Sequence, residues 1–72
     1  MNSITPAEME VGMKIKTVHP LSMWNGVELT LTAVEQNSDR DFLKRTYISA
    51  TSNAGDVLAG HVFPNDKTWV HA

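Results

Sequence analysis

The sequence predicts an all-β fold, a small five-stranded antiparallel barrel with one short N-terminal helical turn. Three observations lead there. Apolar and polar residues alternate with period 2, most clearly in "VELTLTAVE". Clusters of turn formers ("HPLSMWNG", "QNSDRD", "SNAG", "PND") cut the chain into short runs. No segment supplies the long helices that parallel crossovers need, so the sheet is antiparallel. Five strands in about 60 residues hide their edges best by curling into a barrel.

Each element follows from local chemistry. In "TPAE", Thr5 caps a helix start, Pro6 suits the first helical position and Glu8 completes a capping box. Gly12 stops it early, so one turn, Pro6 to Glu10, lays Ile4 and Met9 on the core. "MKIKTV" then turns Met13, Ile15 and Thr17 inward and Lys14 and Lys16 outward. In the second strand Val27, Leu29, Leu31 and Ala33 share one face, and Glu28, Thr30 and Thr32 the other. A third strand runs from Phe42 to Thr51. Its adjacent apolar pairs, Phe42–Leu43 and Tyr47–Ile48, call for a bulge or bend there. "SNAG" is a hairpin turn with Gly55 free to take a positive φ. The fourth strand is "DVLAGHVF", where Gly60 lets another backbone come close. Pro64 ends it, and "TWVH" is a short last strand.

Two stretches carry a family resemblance. "GHVFPNDKTWV", Gly60 to Val70, resembles the ending of small barrels of the Src-homology-3 type: glycine, apolar residues, proline, a short turn, then aromatic–valine. Trp69 lies farther from Pro64 than in that pattern. The acidic–aromatic N-terminal motif and paired tryptophans of the peptide-binding members are missing, so their proline-rich ligand preference does not carry over. "EVGMKIKTV" followed by "NGVELTLTAV" is similar to the KOW motif of ribosomal and transcription-elongation proteins. Gly26, Leu31 and Val34 stand at its glycine and apolar positions, and Leu29 stands where a second glycine is usual. Both resemblances imply a small barrel, and the second implies RNA or DNA as a partner.

Composition narrows the function. The 72 residues suit one small domain, residues 1–72. Cysteine is absent, which removes disulfides, cysteine–zinc sites and thiol catalysis. Without staples the domain rests on a core worth ~3–5 kcal/mol net. An intracellular, cytoplasmic home fits best. No apolar run of about 18 residues occurs to span a membrane, and the N-terminus lacks a secretory signal's basic start and apolar stretch. The net charge of −2 gives no global basic footprint for nucleic acid.

No residue set points to catalysis. His19, His61 and His71 have no short ligand spacing, even with Asp66 as a fourth candidate, and read as surface or half-buried residues. Asp39 and Asp41 flank Arg40 and read as a solvated turn rather than a catalytic pair. There is no Gly-x-Ser-x-Gly elbow and no phosphate-cradling glycine loop. The expectation is a protein without enzymatic activity, metal or cofactor.

"HPLSMWNG" is the stretch that hints at a role. A turn carrying Leu21, Met23 and Trp24 holds more apolar area than a small barrel can absorb, since Met13, Ile15, Val27, Leu29, Leu31 and Val57 already supply its interior. Met23 and Trp24 are therefore expected to contact a protein partner, with Leu21 packed inward. A stand-alone domain of this size also suits a phage or mobile-element accessory protein that modulates a host complex. An alternative reading takes Lys14, Lys16, Lys44, Arg45 and Tyr47 as nucleic-acid contacts, although Glu28, Glu35, Asp39 and Asp41 dilute their field. A third is self-association through a free strand edge such as "TWVHA".

Overall fold

A computed structural model describes residues 3–72. A 3₁₀ turn, Pro6–Glu8, precedes five strands: β1 Lys14–Thr17, β2 Leu29–Glu35, β3 Thr46–Ser52, β4 Val57–Val62 and β5 Trp69–His71. The turn forms where its capping box stands. One oxygen of Glu8, Oε1, accepts from the Thr5 backbone N–H at 3.1 Å and the Thr5 hydroxyl at 2.8 Å. It stops at Glu8, two residues sooner than expected, because Met9 is already extended.

All five strands belong to one antiparallel sheet in the order β4-β3-β2-β1-β5. Ile4, Met9, Ile15, Leu29, Leu31, Ile48, Ala50 and Trp69 form the buried core. The sheet is not closed: β4 and β5 are its two edges and do not pair. β5 lies beside β1, with Thr17 opposite Trp69. On its other side Ser3 bridges Val70, and Ile4 N–H donates to Trp69 O at 3.1 Å. The edge at "TWVHA" is thus covered by the start of the chain, and the free edge is β4.

Three expectations on phase need correction. The bulge lies in β2, not in the third strand: register with β3 shifts between Leu31 and Ala33, leaving Thr32 unpaired. One extra residue reverses the faces beyond it. Val34, opposite Ile48, therefore packs on the core, while Ala33 pairs with Ser49 on the other face. β3 itself alternates cleanly from Thr46 because Phe42 to Arg45 are loop, turned by a positive φ at Lys44. Phe42 is 96% exposed. In β4, Leu58 pairs with the buried Ala50, which points Leu58, Gly60 and Val62 inward and Val57 and Ala59 outward. Val57 is therefore not core. Gly60 serves no close approach, since a Cβ built there meets nothing within 4 Å.

Candidate functional site

The His19–Gly26 loop is held by its own polar groups. Ser22 N–H donates to His19 O, Asn25 N–H to Ser22 O, and Val27 N–H to Trp24 O, each between 3.0 and 3.1 Å. The Asn25 amide donates to His19 O at 2.9 Å, and Trp24 N–H to Ser22 Oγ at 3.1 Å. Leu21 N–H donates to His19 Nδ1 at 3.1 Å. Gly26, at φ 75°, returns the chain to β1 through its N–H on Thr17 O. These turns need nothing from the large side chains, which are free to face outward.

Leu21 is 90% exposed and Met23 87% exposed. The expectation that Leu21 packs inward is wrong: it sits in the turn at Pro20–Leu21 and is exposed there. Trp24 is partly buried and, with Val27, packs against the edge of the core. It serves as both a lid and a surface.

Two grooves separate this loop from β4. One, about 390 Å³, is lined by Met23, Trp24 and Val27 and, across from them, Asp56 and Val57. The other, about 310 Å³, has His19 and Ser22 on the loop side and Leu58, Gly60 and Val62 on the β4 side, with Trp69 also lining it. The loop, together with Thr17, Thr68 and Trp69, therefore faces the free edge of β4.

The basic and aromatic candidates do not converge. Lys14 pairs with Glu28 at 3.7 Å, Lys44 with Asp39 at 3.0 Å, and Arg45 with Asp41 at 2.8 Å. Register places Lys14 in the row of Thr30 and Thr51, four residues along β3 from Tyr47, or about 13 Å. Tyr47 packs its ring against His61, centroids 5.3 Å apart. Lys16, in β1, sits opposite Val70 of β5.

Arg45 is structural. Its guanidinium donates to both oxygens of the buried Asp41, and its backbone N–H donates to Oδ2 at 2.9 Å. The guanidinium hydrogen bond is the main reason the Asp41 carboxyl is held well below the usual carboxylate range, and the same bond raises Arg45. The guanidinium carbon also lies 5.2 Å from the ring centre of Phe63. Asp41 is thus buried and fixes the loop through Arg45, where a solvated turn was expected, whereas Asp39 is exposed, 3.0 Å from Lys44.

His61 and His71 lie on opposite edge strands. His61 Nε2 is 3.0 Å from Oγ of the buried Ser38. Asp66 accepts from Thr68 and from the Trp69 indole N–H. Among the described residues no group of three His, Cys, Asp or Glu is placed to hold a metal ion, and no helix is long and apolar enough to cross a membrane.

No protein-family model, curated protein or solved structure matches the chain.

Two contributors escaped the sequence. Leu21 and Val57 join the exposed apolar surface, and their outward phase depends on a turn and a pairing register that alternation alone does not reveal. The exposure of Phe42 had a local signal: the Asp41 and Arg45 spacing beside "QNSDRD" suits a closed loop better than a strand.

Proposed function

We propose that the chain is a non-enzymatic module that binds a protein partner through the His19–Gly26 loop and the start of β4. The observation that carries this reading is Met23, 87% exposed, lining a groove with the half-buried Trp24, with Leu21 exposed in the same loop. Exposed apolar groups beside a groove mark contact sites, and Trp and Met are enriched at interface cores. Trp24, already fixed on the core, costs little further ordering on binding. The antiparallel five-stranded sheet supports the small-barrel reading, with the loop flanking its open seam. Neutralisation of Lys14, Lys44 and Arg45 by neighbouring carboxylates argues against the nucleic-acid alternative, since affinity there follows the phosphates neutralised.

The test is photocrosslinking in an extract of the source cells, with a benzophenone amino acid in place of Met23. A protein adduct that survives nuclease and is lost in Leu21→Ser supports the reading. No protein adduct, or one that nuclease abolishes, refutes it.

A further inference from the structure

We infer that the partner enters as an extended peptide segment that adds to the free edge of β4, between that strand and the His19–Trp24 loop. This rests on the partner-binding reading above and states what form the partner takes.

Backbone geometry comes first. Ser52 N–H donates to Asp56 O, and Gly55 N–H to Ser52 O. With Ala50 opposite Leu58 and Ile48 opposite Gly60, the antiparallel alternation aims the N–H and C=O of Leu58, Gly60 and Val62 at β3. Those of Val57, Ala59 and His61 point to the free side. Among the described residues they have no backbone partner, and they form a row of donors and acceptors with strand spacing.

The strand itself carries no guard, and grooves separate it from the loop that flanks it. Natural edges are protected by charge, proline or a bulge. "VLAGHV" contains no Lys, Arg, Asp, Glu or Pro, and its pairing with β3 has no register shift. The grooves lie where a sixth strand would sit. Side chains of such a strand that face the core would enter the space beside Leu58, Gly60 and Val62, and the missing Cβ of Gly60 leaves room for a large one. Outside, Met23 and Val57 would flank it at one end. Leu58, Val62 and Trp69 favour apolar residues at alternate positions of the segment, while Asp56 at one end and His19 and Ser22 beside the other groove admit polar ones between them. A second copy fits worse: its β4 would bring β3 behind it, into the space the loop occupies.

The full chain, immobilised, is used to select from a random library of displayed twelve-residue peptides. The best peptide is then synthesised, together with a scan of single backbone N-methylations. Strand addition predicts loss of tenfold or more at every second peptide position, because only alternate N–H groups face β4. It predicts slowed amide exchange at Val57, Ala59 and His61. It also predicts a loss of tenfold or more in Ala59→Pro, which removes an outward N–H and leaves the β3 ladder intact. If Ala59→Pro does not fold, the N-methyl scan on the unaltered chain decides. Peptides that depend on Met23 but show no alternate pattern and no protection at β4 overturn strand addition and leave the loop as the contact. Failure to select any peptide, or sedimentation as a dimer with β4 protected, overturns it in favour of another occupant.

Discussion

Trp24→Ala separates packing from contact. A fully buried Trp→Ala substitution costs ~3–5 kcal/mol, part of it for the sealed cavity left behind. Trp24 packs on the core edge and lines an open groove, so its removal widens the groove and leaves no sealed void. The loss reduces to transfer: about 100 Å² of apolar contact at about 25 cal/mol per Å² gives ~2.5 kcal/mol. For a domain of this size that lowers the melting temperature by about 10–20 °C. Against a net stability of ~3–5 kcal/mol the variant still folds at low temperature. Met23→Ala and Leu21→Ala, at exposed positions, stay within ~0.5 kcal/mol of the parent. Urea titration by far-ultraviolet circular dichroism, with thermal melts, measures all three. A Trp24→Ala midpoint indistinguishable from the parent, or a loss of ~2 kcal/mol in Met23→Ala, would refute the division of labour argued for this loop.

The remaining predictions concern the polar framework. Asp41 has its carboxyl lowered in the folded state, so its stabilisation is fully present above the unfolded value of about 3.9 and is lost as pH falls below it toward the folded value. Melts of Asp41→Asn and the parent should differ at pH 7 and converge in acid, and a gap that widens in acid would reverse the sign. His61→Ala strips the buried Ser38 hydroxyl of its partner and should cost ~1–3 kcal/mol in urea titration, whereas His61→Gln should recover part of it. Fluorescence anisotropy with a labelled single-stranded oligonucleotide should show no binding tighter than ~10⁻⁴ M at physiological salt. Tight, steeply salt-dependent binding lost in Lys14→Glu and Lys16→Glu would overturn the charge argument; Arg45→Glu is unsuited to this test because it breaks the Asp41 loop.

Much was legible in the residues themselves. The capping box at Thr5–Glu8, the inward Ile15 and Thr17, the Leu29–Leu31 face and the Gly55 turn follow from local stereochemistry, since side-chain alternation and turn preference act over two to four residues. The apolar load of "HPLSMWNG" was visible too, although Val57, counted among the residues that fill the interior, proved to be exposed. Tertiary structure decided the rest. Whether Ala33 or Val34 meets the core depends on Thr32 being skipped in a ladder with β3, and a single skipped residue changes no local propensity. Whether Val57 or Leu58 points inward depends on Ala50 across the ladder. The last strand joined β1 rather than β4 because pairing partners are chosen by burial across the whole chain, and Ile4 and Trp69 are buried together. That choice left β4 as the free edge, and the loop's turns then set Leu21 outward and Trp24 against the core beside it. Local alternation determines that strands form; long-range pairing determines which edge remains open.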